Sequence, residues 1–305
     1  MKSLALLFLL STAFAQVTPL NPKQEILWEK LGSTVSEVDK ALDGVLGVAI
    51  LDVKSGQKLV LHEDEVFPQA SSIKIALLAE LYHQVQTGKL KLTDLYTVQA
   101  SDLVPDSVIM GGLTAGVTRL TLRDLATMVV AVSDNSATNV LMDRVGMENV
   151  NALMDSLGLK QTRLRRKMMD LKAAQEGREN ISTPREMMIL LEDLLSGKVV
   201  NRELTKDFIQ LLSTHKESFI PRELPDGLKI ANKPGELEGV RNDSGVVFVE
   251  NRPYVICVMT TFLRNERDGE AAISKVSGAA YRLFDRLARA SEYGRVISPG
   301  NSSKP

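Results

Sequence analysis

The hydrophobic period of this chain changes twice, and that alternation limits the folds open to it. Val45–Val53 and Lys58–Leu61 are strand-length runs rich in aliphatic residues, and Lys54-Ser55-Gly56-Gln57 between them is a hairpin signature. From Ser71 to about Leu195 the spacing is helical almost throughout. After Leu228 strand runs return at Leu228–Ala231, Gly245–Val249 and Tyr254–Phe262, the last two joined by Glu250-Asn251-Arg252-Pro253. Helical stripes close both ends, over Gln24–Leu42, which Gly44 terminates, and over Ala271–Ala290. Capping signals open helices at Thr121-Leu122-Arg123-Asp124 and at Thr183-Pro184-Arg185-Glu186, where Glu186 is placed to reach back to the cap.

Short links between strand runs imply antiparallel pairing, and strands drawn from both ends of the chain imply one shared sheet. The expected class is therefore α+β: an antiparallel sheet flanked by the terminal helices, with an all-helical domain inserted. The boundaries this gives are 22–70 and 205–290 for the sheet domain and 71–204 for the helical one, with 291–305 a flexible polar tail. A cleft between the two parts is the expected place for a site.

At 305 residues and 44% hydrophobic the chain can bury about three quarters of its unfolded surface. Lys+Arg 37 against Asp+Glu 38 gives a formal net charge of −1, so bulk electrostatics argue against a nucleic-acid partner. Residues 1–15 place Lys2 before the apolar run Leu4–Leu10 and end in Ala13-Phe14-Ala15, the pattern of a cleaved signal peptide. The expected mature chain, Gln16 to Pro305, is secreted or periplasmic, with no stable membrane insertion because no later segment is apolar enough to span a bilayer. The sole cysteine, Cys257, lies in the apolar run Tyr254–Met259 and reads as core filler.

Several chemistries are absent as motifs: G-x-S-x-G, G-x-x-x-x-G-K-[ST], H-E-x-x-H and any cysteine pair. His62, His83 and His215 are scattered without metal-ligand spacing, so no metal and no cofactor is expected. Ser-x-x-Lys occurs three times. Ser55/Lys58 flanks a hairpin and Ser213/Lys216 sits in a polar linker. Ser71/Lys74 instead heads a helix that is apolar through Ile73, Ile75, Ala76, Leu77, Leu78 and Leu81. A lysine embedded there needs a reason. One helical turn puts Lys74 within reach of the Ser71 hydroxyl, and desolvation lowers a lysine's pKa until a neutral fraction can take a proton. The helix N-terminus favours negative charge developing at Ser71. A salt-bridged structural lysine is the plainer alternative. Ser133-Asp134-Asn135 interrupts two apolar helical stretches. Alone it reads as a turn with an N-cap, whereas beside Ser71 and Lys74 a second hydroxyl can relay a proton and a carboxamide can hold a substrate amide.

With these motifs in this order, the chain resembles the penicillin-recognising serine hydrolases, most of all the class A β-lactamases. The resemblance spans essentially the whole mature chain, and its implications are as follows. Ser71 is the acylated nucleophile, Lys74 its activating base, Ser133 the proton shuttle and Asn135 a substrate-amide ligand. The substrate is a small-molecule β-lactam or a D-Ala-D-Ala-like peptide, the enzyme needs no cofactor, and a monomer is expected. The third motif is Lys233-Pro234-Gly235 in place of Lys-Thr-Gly or Lys-Ser-Gly. Lys233 still supplies charge towards a substrate carboxylate and Gly235 still permits close approach, but the hydroxyl and one backbone N–H are lost. Arg241 is the candidate replacement as a carboxylate binder, with a surface arginine the alternative, and the N–H of Glu236 joins that of Ser71 as an oxyanion donor.

The omega loop departs further. Thr162-Arg163-Leu164 and Thr183-Pro184 match the family at its two ends, yet counting from Leu164 places Met168 where the family carries the glutamate that activates the deacylating water, and Lys172 where an asparagine belongs. Asp170 is the nearest carboxylate to stand in, ahead of Glu176 and Glu179. The family therefore implies an acyl-enzyme former with an incomplete release apparatus. Its rivals are a penicillin-binding or D-Ala-D-Ala peptidase or esterase-like protein, and a non-catalytic cell-wall ligand-binding module.

Overall fold

The computed structural model describes residues 21–291 and 293–297; the expected signal peptide and residues 298–305 lie outside the described residues. In chain order the elements are α1 (Pro22–Ala41), β1 (Val45–Asp52), β2 (Lys58–Leu61), β3 (Phe67–Pro68), a 3-10 turn over Ala70–Ile73, α2 (Lys74–Gln86), β4 (Leu95–Thr97), β5 (Arg119–Thr121), α3 (Leu122–Ala131), α4 (Asn135–Val145), α5 (Met147–Ser156), α6 (Leu171–Gln175), β6 (Ile181–Ser182), α7 (Pro184–Ser196), α8 (Arg202–Leu212), β7 (Ile230–Leu237), β8 (Val240–Val247), β9 (Tyr254–Thr261) and α9 (Glu266–Arg289).

The main sheet has the order β2-β1-β9-β8-β7. All its neighbours are antiparallel, and the two ends of the chain meet where β1 pairs with β9, from Val45 opposite Thr261 to Asp52 opposite Tyr254. Both strands are buried on both faces, which explains their continuous apolar runs. On one face Leu46, Val48, Ile50, Ile256 and Val258 pack against α1 and α9. There Tyr254 stacks on Phe284 with centroids 4.1 Å apart, and Trp28 meets the same ring edge-on. On the other face Ala49, Leu51, Val255, Cys257 and Met259 join the core of the helical block. Burial pushes the Cys257 thiol up to about 12, as an inert core residue requires.

The helix α2 is the axis of that block. Ile75, Ala76, Leu77, Leu78, Ala79, Leu81 and Tyr82 are fully buried, because α4, α5, α3 and α8 surround it. Its apolar character on every side is thus the mark of a central helix.

Three local expectations change. Strand β7 runs on through Lys233-Pro234-Gly235 to Leu237, and Pro234 is tolerated because β7 is the sheet edge. At Thr183 the cap accepts from Glu186 N, but Glu186 turns away and takes the N–H groups of Gln161 and Thr162, tying the start of the omega loop to α7. The tail is not free from its first residue: Ala290 bridges Val296, and Ile297 N donates to Arg289 O at 2.7 Å, which satisfies the last turn of α9. Among the described residues no helix is long and apolar enough to cross a membrane.

The fully buried Asp52 carboxylate at the end of β1 takes Arg252 Nη2 at 2.5 Å and Ser55 Oγ at 2.6 Å, fastening the first hairpin to the loop before β9. Arg252→Ala leaves that charge buried without its cation and is expected to cost about 3–5 kcal/mol, read by urea unfolding.

Candidate active site

Ser71 sits in the 3-10 turn ahead of α2, and Lys74 is the first α-helical residue rather than a residue inside the helix. Ala70 takes the left-handed conformation at φ 48°, a strained setting held from both sides. Gln69 N donates to Asn180 O at 2.8 Å, Asn242 Nδ2 to Pro68 O at 2.7 Å and Ser72 Oγ to Lys233 O at 3.1 Å. Edge strand β7 presses directly on this turn. A Cβ on Gly235 would lie 2.4 Å from Gln69 O and 2.9 Å from Ser72 N, so only glycine permits the approach.

The second wall is the α3–α4 junction. Asp134 caps α4 by accepting from Ala137 N at 3.0 Å, while its other oxygen takes Ile109 N at 3.0 Å and Met110 N at 2.9 Å. The turn-and-cap reading of Ser133-Asp134-Asn135 thus falls on Asp134, which leaves the side chains of Ser133 and Asn135 free to face the cleft. The cap throws Ser133 into the left-handed region at φ 57° and aims it at Ser71.

Ser133 Oγ is the hub. It lies 2.9 Å from Ser71 Oγ, 3.0 Å from Lys74 Nζ and 3.0 Å from Lys233 Nζ. Lys74 Nζ also donates to Ser133 O at 2.7 Å and Asn135 Oδ1 at 3.1 Å. Spacing alone put Lys74 on the Ser71 hydroxyl directly; in the structure its link to Ser71 runs through Ser133, because the Ser133 carbonyl and the Asn135 amide draw the amine across the cleft floor. Its hydrogen-bond partners among the described residues are all neutral, so the salt-bridged alternative falls.

Desolvation, reinforced by the charge of Lys233 and opposed by Asp134, holds Lys74 well below the usual lysine value. Lys233 is pulled down to about 7, first by desolvation and then by the charge of Lys216, against Asp243 and Glu236. Two amines whose burial favours the neutral form thus flank one hydroxyl that touches another.

These groups open into a cleft of about 1020 Å³, whose lining includes Ser71, Ser133, Asn135, Lys233 and Glu236. Lys74 and Gly235 stand behind that surface. Two expected residues are elsewhere. Arg241 is not among the cleft-lining residues: it binds Glu270 Oε1 at 3.2 Å and the carbonyls of Leu237 and Val240 at 2.8 Å, so its guanidinium is already engaged. Asp170 is exposed and caps α6 through Ala173 N at 3.0 Å, since its carboxylate satisfies a helix start. Glu176 pairs with Arg178 at the surface. Glu179 does line the cleft, but its carboxylate is held by Arg166 Nη2 at 2.7 Å. Met168 is buried at the cleft wall, its backbone clamped by Asn139 at 2.8 and 3.0 Å. Lys216, the linker lysine of a discarded Ser-x-x-Lys match, also lines the cleft. Its only sequence signal was that match.

Ser71, Lys74, Ser133 and Lys233 thus meet at the junction of an antiparallel sheet and a helical block. The model of the β-lactamase enzyme family matches residues 30–284, and the chain belongs to that family. It is 28% identical over 260 residues to β-lactamase SME-1 of Serratia marcescens, covering 82% of this chain and 88% of that protein. Its fold is similar to the β-lactamase of Sphaerobacter thermophilus, with 32% identity and a TM-score of 0.77 over 84% of this chain and 97% of the other. It is also similar to a point mutant of PBP-A, solved as an acyl-enzyme complex with penicillin G, at 25% identity and a TM-score of 0.77 over 86% and 97% of the two chains. Fold and family together make this a class A β-lactamase-like serine hydrolase.

Two outcomes follow from the geometry. Gly235→Ala displaces the Ser71 turn from the edge strand and is expected to slow covalent labelling by a fluorescent penicillin about a hundredfold, with the circular dichroism spectrum retained. The depressed lysines also set a pH dependence of stability. With Lys233 at about 7 when folded and 10.5 as its ordinary value, the unfolded chain binds more protons between those limits, so stability rises with pH across that window. Thermal melts of Lys233→Met should show a smaller gain from about pH 7 to about pH 9.5 than the wild type.

Proposed function

We propose that the protein opens β-lactam amides through an acyl-enzyme on Ser71 and releases the product slowly. The observation that carries this reading is Ser133 Oγ, placed within hydrogen-bond distance of Ser71 Oγ and of two depressed lysines. Ser71 Oγ attacks the lactam carbonyl, and its proton passes through Ser133 to neutral Lys74. The carbonyl oxygen becomes an oxyanion facing the N–H groups of Ser71 and Glu236. As the C–N bond breaks, the proton returns from Lys74 through Ser133 to the departing nitrogen. Asn135 holds the substrate amide, Lys233 supplies positive charge, and Gly235 lets β7 lie close enough for both.

Release needs a base for water. Met168 cannot be one, Asp170 is a helix cap, and the Glu179 carboxylate is committed to Arg166. This favours a protein that is acylated faster than it turns over, as a penicillin-binding or D-Ala-D-Ala peptidase-like enzyme would be, over an efficient resistance enzyme. The leader-like pattern of residues 1–15 supports action outside the cytoplasm.

Intact-mass spectrometry over time with benzylpenicillin tests the whole reading. A single adduct that forms quickly, decays slowly and is absent from Ser71→Ala is the expected result, accompanied by a burst in hydrolysis. Labelling that survives in Ser71→Ala removes the nucleophile, no adduct in the wild type points to a binding module, and linear hydrolysis at the rate of an efficient hydrolase removes slow deacylation.

A further inference from the structure

We propose that Lys216 is the anion anchor of this cleft, taking the substrate's carboxylate between its ammonium and that of Lys233. The proposal rests on the acyl-enzyme reading above and adds the residue that recognises the acid.

The argument starts from what is missing. Pro234 offers neither hydroxyl nor N–H at the edge of β7, and Arg241 is turned to Glu270 and the carbonyls of Leu237 and Val240. An acidic substrate would then meet Lys233 alone, and Lys233 Nζ already donates to Ser133 Oγ at 3.0 Å and to Pro234 O at 3.1 Å.

Lys216 fills that gap. It comes from the segment after α8 and lines the same cleft as Ser71 and Lys233. Its hydrogen bonds among the described residues go to neutral groups, Leu212 O at 2.9 Å and Asn232 Oδ1 at 3.5 Å. The nearest buried carboxylate, Asp243, is fully engaged: it accepts from Phe219 N at 3.0 Å, Ile220 N at 2.9 Å and Asn232 Nδ2 at 2.8 Å. That grip fixes the Asn232 amide so that its oxygen, the weaker of two supports, faces Lys216. The carboxylates lining the cleft are Asp106, Glu179, Glu217, Glu236 and Glu238; Glu236 leans to Arg241 at 3.9 Å, Glu179 is held by Arg166, and none of the five pairs with Lys216.

Two largely desolvated lysines that line one cavity repel each other. Lys216 lies at about 8, lowered by desolvation against the opposing charge of Asp243, and its own charge is among the causes that lower Lys233. A carboxylate between them relieves both, so the cleft is built to bind an anion at one end and to present a carbonyl to Ser71 at the other.

Acylation rates measured with benzylpenicillin and with its methyl ester provide the test. Lys216→Ala should slow acylation by the acid roughly 10- to 100-fold, the worth of one charge-assisted hydrogen bond. The ester should change less than about twofold, and Lys216→Arg should restore most of the rate on the acid. Equal losses on acid and ester, or no loss on the acid, overturn the proposal. A second measurement does not depend on acylation: in Ser71→Ala labelled with 13C-lysine, the Lys216 signal should titrate at higher pH when phenylacetylglycine is added and stay put with its methyl ester. An unmoved signal overturns the anchor even where wild-type protein is acylated. A moved signal in a protein that no penicillin acylates keeps the anchor and removes the acyl-enzyme reading.

Discussion

The burial of Lys74 is the constraint on which the rest of the structure depends. A lysine amine at the floor of an apolar block is costly unless oxygen atoms surround it, and here they all come from one junction, Ser133 O, Ser133 Oγ and Asn135 Oδ1. Those oxygens are in place because Asp134 caps α4 and simultaneously ties down the backbone at Ile109 and Met110. The same atoms that make the lysine tolerable thus put a hydroxyl against Ser71. Solvation of a buried amine and the placing of a second hydroxyl against Ser71 are one structural solution.

Much of this was legible in residues whose surroundings are local. Ser71 and Lys74 stood out because the flanking sequence is apolar on every side, and Ser133 and Asn135 because a polar triplet breaks two apolar helices. The period switches at Ser71 and Leu228 gave the sheet its two halves. What escaped depends on distant neighbours. Arg241 could be placed on a strand but not paired, since Glu270 lies on a helix far along the chain. Asp170 carried no mark that it would cap α6 rather than face the cleft. Lys216 looked like a solvated linker residue, and only the packing of α8 against β7 brings it inside. Glu186 fitted a capping box by spacing, yet tertiary N–H groups at Gln161 and Thr162 outcompeted the local one. Side-chain direction at a loop or strand edge is a tertiary property, and sequence spacing does not encode it.

The omega loop shows how a backbone can be kept while its chemistry changes. Asn139 holds both the N–H and the carbonyl of Met168, and Asn180 receives the N–H groups of Arg165 and Arg166 at 2.7 and 3.0 Å. These contacts are made to main chain, so they hold the path of the loop whatever side chain stands at Met168. The Arg166–Glu179 pair then closes the loop on itself. A position so fixed can lose a carboxylate without losing its shape, which separates the folding of the cleft from its capacity to activate water.

The pairing of β1 with β9 has a temporal consequence. Ser71, Lys74 and Ser133 are all made within the first half of the chain, but Lys233 and Gly235 belong to a meander whose tie to the first strands in the main sheet is β9. Until Tyr254–Thr261 has docked, the edge strand that braces the Ser71 turn is missing, and so is the amine on the far side of Ser133. A chain emerging from its N-terminus therefore carries the Ser71 turn without its edge-strand brace for most of its synthesis, and the sheet that holds that brace is closed only by the last strand to be made.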